Sequence, residues 1–216
     1  MGVHNLSKRI RDSDDTPDEI AFDQRLKKRR IGVDFMVIAH KSVGTEDGAG
    51  EMAMCPEVPN TAMVDRCRKL CGWAKQNSIT WVVSVDGLYH SLKASVNDKR
   101  KNDRTTALSE FAALVTKFKG RQMPNAKVKE AKSLLKKAAH VSDKIVAVGV
   151  KVFRDHGHEV YGTCFESDFQ LVYWERIKFT DGTLSIDSDL LAMGSSLFID
   201  LLNYNCMGVC QTTLEK

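Results

Sequence analysis
The chain has 216 residues, enough for one sizeable domain with a real core. Its 43% hydrophobic and 28% charged residues are ordinary for a soluble globular protein. The net charge of +4 is too small to argue for nucleic acid by itself, and no apolar run approaches the roughly 18 residues that a membrane span needs.

The N-terminal residues 1–30 open with MGVHNLSKRI and end in RLKKRR, around an Asp-rich segment. They hold no apolar stretch for a secretory signal. Leu6 stands where a myristoylation pattern wants Ser or Thr. An intracellular, reducing compartment is therefore expected, and the six cysteines read as thiols. Cys67 with Cys71, and Cys206 with Cys210, are each C-x3-C pairs. Buried or helix-face thiols suit them better than a shared zinc. Residues 25–30 are either a nuclear import signal or a basic rim before a strand.

Residues 31–39, IGVDFMVIA, predict a buried parallel strand interrupted by Asp34. A carboxylate there must be paired, metal-bound or facing a cleft, or else cap the next helix. Residues 42–61 read as a loop. Residues 62–76 predict a helix, with Met63, Cys67, Leu70, Cys71 and Ala74 at helical spacing. Residues 79–85, ITWVVSV, are the clearest strand, and Asp86 and Gly87 close it. Two apolar strands thus carry an aspartate.

Residues 88–104 read LYHSLKASVNDKRKNDR. Lys93, Arg100 and Arg104 share one face if this is a helix, with Lys99 and Lys101 beside them. A solvated helix face is the plain alternative. A cationic face following a strand that ends on a carboxylate suits a phosphodiester. Residues 105–118 look helical, residues 117–125 form a basic break, and residues 126–154 predict one long helix. Its apolar stripe is Leu134, Leu135, Ala138, Val141, Ile145, Val148 and Val152. Gly157 stops it. His156 and His158 read as surface turn histidines rather than a metal pair.

Two acidic pairs follow, Glu166 with Asp168 and Asp187 with Asp189. A short β-prone run, 159–163, precedes the first pair. A helical segment, 169–177, lies between the pairs. A weak strand, 183–186, precedes the second. This is a strand–helix–strand unit with carboxylates at the carboxyl ends of its strands, the rim where open α/β sheets bind ligands. Converging carboxylates repel one another, and hard divalent cations bound through oxygen relieve that. For either pair alone, a solvated acidic face is the plain alternative. Residues 195–202 are a last strand candidate.

In this order and spacing the pieces MGVHNLSKRI, IGVDFMVIAHKS, WVVSVDG, SLKASVNDKRKNDR, ESDFQL and IDSDLLAMG resemble the flap endonuclease/XPG superfamily of structure-specific 5′ nucleases. The likeness is strongest to the branch that degrades DNA from 5′ ends in mismatch repair and resection. It implies an α/β fold: a PIN-like 5′ nuclease domain, with a central, mostly parallel sheet flanked by helices and a helical gateway. It also implies one nuclease domain over residues 1–216. By this resemblance Asp34, Asp86, Glu166, Asp168, Asp187 and Asp189 match the ligands of two magnesium ions, for which manganese substitutes. Lys93 and Arg100 match basic residues that reach the scissile phosphate. Arg104 matches a further arginine of that helix, His40 a ring near the terminal nucleotide, and Gly2 a glycine close to the DNA.

The implied function is metal-dependent hydrolysis of DNA phosphodiester bonds near 5′ ends, flaps or junctions, in repair or replication, with a nuclear location. A protein partner is left open. Two other readings stand beside it: a non-catalytic nucleic-acid-binding relative, and an RNA 5′ nuclease of the PIN-like fold. Three positions depart from the pattern. Ile186 replaces a usual Glu, Phe169 replaces a usual small residue, and the strand before Asp187 is more polar than usual. The family's helix–two-turn–helix and seventh carboxylate are expected to be absent, with Asp200 a poor substitute. Weak binding of the second ion is the expectation that follows.

Overall fold
The computed structural model describes residues 26–43, 61–88, 93–185, 187, 189–195, 198–203 and 206–209. These fall into two compact units. The first takes residues up to Val37, Leu70–Leu88 and the chain from Phe153 onward; the second takes Ile38–Lys69 and Tyr89–Val152.

The first unit is built on a six-stranded sheet. Its strands are β1 (Arg30–Asp34), β2 (Thr80–Val85), β3 (Glu159–Gly162), β4 (Gly182–Ser185), β5 (Phe198–Asn203) and β6 (Cys206–Val209), in spatial order β3-β2-β1-β4-β5-β6. The first five run parallel and β6 closes the edge antiparallel to β5. Burial on both faces of a parallel sheet explains why β1 and β2 read as short apolar runs, whereas β4 is Gly-Thr-Leu-Ser. Ile31, Val33, Trp81, Val82, Val83 and Leu184 are all buried. Register pairs Asp34 with Ser84 on β2, and Ser185 on β4 with Asp200 on β5. The side chain of Asp200 lies outside the described part.

Helix α1 (Phe35–Val43) starts directly after β1, and α2 (Thr61–Asn77) leads into β2. The strand expected over 31–39 therefore ends at Asp34, and Phe35 to Ala39 are helical. Both segments are apolar, so hydrophobicity alone does not divide them. The aspartate does: its Oδ1 accepts the N–H groups of Met36 (3.0 Å) and Val37 (3.3 Å), an N-terminal cap. Trp81 Nε1–H donates to the Leu70 carbonyl (3.0 Å), and its ring stacks on Trp73 at 5.6 Å. Cys67 and Cys71 are buried thiols on α2, as expected, and burial pushes the Cys71 thiol up to about 12.

In the second unit α3 (Ala94–Lys117) and α4 (Asn125–Ala138) form a helical hairpin. Ala107, Leu114, Ala131 and Leu134 are its core, with Phe111, Phe118 and Met123 against them. Helix α5 (Asp143–Asp155) is separate from α4. The single helix expected over 126–154 is thus two. Ala139 is extended (φ −62°, ψ 138°), and the Ser142 carbonyl accepts the Val146 N–H (3.0 Å) to open the new helix. The apolar stripe continues across the break and hides it. The signal for a second start was the Ser142–Asp143 pair, good residues for a helix N-terminus. The stop at Gly157 holds, at φ +80°.

Back in the first unit, α6 (Ser167–Arg176) packs over β1, β2 and β4. Leu171, Val172 and Trp174 bury against Val82 and against Leu190 of the short α7 (Asp189–Ala192). The approach is close at Gly32, where a Cβ would meet Leu171 Cδ2 at 2.8 Å. Among the described residues no helix is long and apolar enough to cross a membrane.

Candidate active site
The carboxyl ends of β1, β2 and β4 lead to Asp34, Asp86 and Asp187. Asp34 ends β1 and is 6% exposed. Its Oδ2 accepts the Ser185 hydroxyl of β4 at 3.2 Å. Burial pushes its carboxyl up to about 7, and the negative charges of Asp168 and Asp86 push the same way. The hydrogen bonds from Val37 and Ser185 oppose that shift without cancelling it. Three sequence-distant carboxylates thus share one rim, and the price is carried by the most buried of them.

Asp86 follows β2 and is exposed. Its Oδ1 accepts the Ser167 N–H at 2.8 Å, which pins the first turn of α6. Glu166 is the N-cap residue of that helix, with extended backbone and no side-chain cap bond. Asp168 lies in its first turn. The chain reaches α6 through a tight crossing, where Gly87 N–H donates to the Phe165 carbonyl (2.7 Å) and Leu88 N–H to that of Cys164 (3.1 Å). A Cβ at Gly87 would lie 1.8 Å from the Thr163 carbonyl oxygen.

The second pair is held in the same manner. Asp187 N–H donates to Ser185 Oγ (3.2 Å), and Asp187 Oδ1 accepts the Asp189 N–H (3.0 Å). Ser185 therefore links Asp34 to the loop that carries Asp187. The polar character of the strand before Asp187 has its reason here. Thr183 and Ser185 are fully buried, and each hydroxyl serves a carboxylate: Thr183 that of Glu175 and Ser185 that of Asp34. Sequence reasoning missed Ser185, although a buried Thr-x-Ser alternation in a central strand was its signal. Phe169, the large residue after the first pair, is 68% exposed, so its ring needs no space in the core.

The donor set is all oxygen and the accumulated charge is negative, which fits hard divalent cations. Ser84 and Ser167 add buried hydroxyls with no hydrogen-bond partner in the structure. Among the described residues no group of three or more His, Cys, Asp or Glu is drawn together as a finished ion site. The carboxylates line a rim rather than a single point.

The basic residues belong to the second unit. Lys93 stands just before α3, Arg100 is exposed on it, and Arg104 is half-buried. Burial and the charge of Arg104 both lower the His140 pKa, while Asp143 raises it. His40 is exposed on α1. Gly2, residues 25 and 210, and the side chain of Cys206 lie outside the described part. His156 is exposed in the turn after α5, as expected. His158 is half-buried, and its Nδ1 accepts the Trp81 N–H at 3.3 Å.

Comparison with known proteins agrees with this architecture. The chain is 24% identical over 195 residues to exonuclease 1 of Xenopus laevis, covering 90% of this chain and 24% of the relative. It therefore spans about a quarter of that protein's length. No protein-family model matches. Among solved structures, human GEN1 in complex with Holliday junction DNA superposes with a TM-score of 0.60 at 12% identity, over 99% of this chain and 44% of that one. Flap endonuclease-1 from Methanococcus jannaschii gives 0.58 at 14% identity, over 94% and 62%. A GEN1 structure with product DNA, Mg2+ and Mn2+ gives 0.50 at 14%, over 88% and 34%. The expected resemblance and the PIN-like 5′ nuclease fold are both present.

Proposed function
We propose that the chain is a divalent-metal-dependent nuclease. It hydrolyses DNA phosphodiester bonds near 5′ ends, flaps or junctions, in the nucleus, in repair or replication, and acts as one nuclease domain. The observation that carries this reading is the row at the sheet rim: Asp34, raised by burial and then by the charges of Asp168 and Asp86, is tied through Ser185 to the loop of Asp187. Sequence likeness to an exonuclease, and folds similar to a flap endonuclease and to GEN1 bound to a Holliday junction, support the substrate class.

Asp34, Asp86, Glu166, Asp168, Asp187 and Asp189 would hold two Mg2+ ions, with Mn2+ able to substitute. When bound, such a pair supplies an activated water and stabilises the attacking and leaving oxygens. Asp86 and Asp187 each use one oxygen on a backbone N–H, which fixes their carboxylates before substrate arrives. Lys93 and Arg100 offset charge developing on the phosphate. Arg104, His40 and Gly2 contact the DNA, His40 by stacking on an unpaired base.

The test is incubation of the purified chain with 5′-labelled flap and blunt DNA duplexes and matched RNA, in Mg2+, Mn2+ or chelator. DNA cleavage that needs the metal is the expected result. Cleavage that survives chelation overturns the metal role. Binding without cleavage in either metal makes the chain a non-catalytic relative, and preference for the RNA moves the substrate class.

A further inference from the structure
Glu175 is buried (5% exposed) near the end of α6, away from the acidic rim. An unbonded carboxylate in such a place is costly. Its Oε1 accepts two hydroxyls, from Thr183 Oγ1 at 2.5 Å and from Ser195 Oγ at 2.5 Å. Thr183 and Ser195 are themselves fully buried.

The positions of these partners matter more than their number. Thr183 lies on β4 before the second acidic pair, and Ser195 lies after α7, beyond it. The segment between them carries Asp187 and Asp189. One carboxylate oxygen therefore clasps both ends of the segment that presents the second pair. Ser195 N–H also donates to the Leu190 carbonyl (3.0 Å), which folds the end of the segment back on α7. The other end of α6 carries Glu166 and Asp168, and Asp86 pins it there through Ser167. The helix is thus fixed at its start to one group of carboxylates and near its end to the loop that bears the other.

We propose that Glu175 is a positioning residue that sets the spacing of the two acidic pairs by clasping Thr183 and Ser195. It touches neither substrate nor ion. The inference rests on the proposed function for its catalytic meaning, but the clasp is open to measurement without any metal.

The experiment compares the full chain with Glu175→Ala, Glu175→Gln, Thr183→Val and Ser195→Ala, and with Val172→Ala as a packing control on the same helix. Two readouts are taken at a temperature where far-UV circular dichroism shows every variant folded. Amide hydrogen exchange of residues 187–193 in chelator reports the clasp. Mn2+ affinity by electron paramagnetic resonance reports the spacing. Glu175→Ala is expected to speed exchange in that segment at least tenfold and to weaken Mn2+ about 10- to 100-fold, as for residues that orient ligands. Glu175→Gln keeps an acceptor oxygen and should restore both to within about threefold of the parent, as conservative rescue requires. Val172→Ala should lower stability yet leave both readouts in place. Where Glu175→Ala fails to fold, Thr183→Val and Ser195→Ala each remove one bond and should speed exchange severalfold. Parental exchange in every folded clasp variant overturns the proposal. Faster exchange with unchanged Mn2+ affinity overturns the spacing role. If the parent binds no Mn2+, the proposed function fails, and the exchange data alone judge the clasp.

Discussion
Asp34 does two things that pull its charge in opposite directions. As a cap it accepts two backbone N–H groups at the start of α1, which favours the carboxylate. As part of the rim it is buried beside Asp168 and Asp86, which favours the acid and wins, at about 7. Its ordinary value is 3.8. Between those values the folded state keeps a proton that the unfolded chain has released. The contribution of this group is therefore fully present below about pH 4 and is lost as pH rises through 7. Asn at this position keeps the acceptor for Met36 and Val37 and carries no charge. In chelator at pH 8, Asp34→Asn should be more stable than the parent by on the order of 2–4 kcal/mol, a gap that narrows as pH falls and closes below about pH 4. Urea midpoints across this range measure it. His158, whose pKa burial lowers, costs both proteins stability on the acid side and cancels in the difference. A parent as stable as the variant at pH 8 would show that another group neutralises Asp34.

At the scale of elements, the site depends on where strands stop and helices start. The crossing at Gly87 is the tightest of these junctions. A Cβ there meets the backbone of Thr163 and Cys164, at 1.8 and 2.9 Å, and backbone does not yield as a flexible side chain does. Gly87→Ala should therefore cost about 2 kcal/mol or more, by overpacking, and should displace Asp86 from the first turn of α6. A urea midpoint equal to the parent's would show that the crossing relaxes freely. On α3 the question is charge rather than space. Lys93 and Arg100 are exposed at the start of a long helix, and neither is needed for its core. If they stabilise charge on the reacting phosphate, Lys93→Ala and Arg100→Ala should each slow single-turnover cleavage at saturating DNA by roughly 100- to 1,000-fold. If they are ordinary phosphate contacts, affinity falls and the salt slope drops by about one, with turnover kept. Turnover at saturation separates the two.

Across the whole molecule, the parts legible in sequence were those written in composition and order. β2 is apolar and short, so ITWVVSV announces itself, and the two acidic pairs stand out in chain order, one at the start of α6 and one after β4. The parts that were not legible are set by contacts. The apolar run after Asp34 is equally consistent with strand and helix until its capping bonds are seen. The stripe across 126–154 keeps its period while the backbone breaks at Ala139. Ser185 shows only as one member of a Thr-x-Ser alternation, and Glu175 carries no signature, because its meaning lies in the partners that the fold brings to it. The same assembly makes a prediction for the folded chain as a unit. A rim of carboxylates that is strained when empty of positive charge gains stability from any cation that binds the folded state alone. Ion at about a hundredfold its dissociation constant adds about 2.7 kcal/mol, which for a chain of this size is about 5 °C or more in Tm. Binding must also displace the proton that Asp34 retains, so the gain should be larger at pH 8 than at pH 6. Asp187→Asn keeps the acceptor for the Asp189 N–H but loses a charge, and should shrink the gain while leaving the Tm in chelator near the parent's. Thermal scans in Mn2+ and in chelator, at both pH values, decide it. Equal Tm in the two media, or an equal gain in Asp187→Asn, would mean that the rim is not where the ion binds.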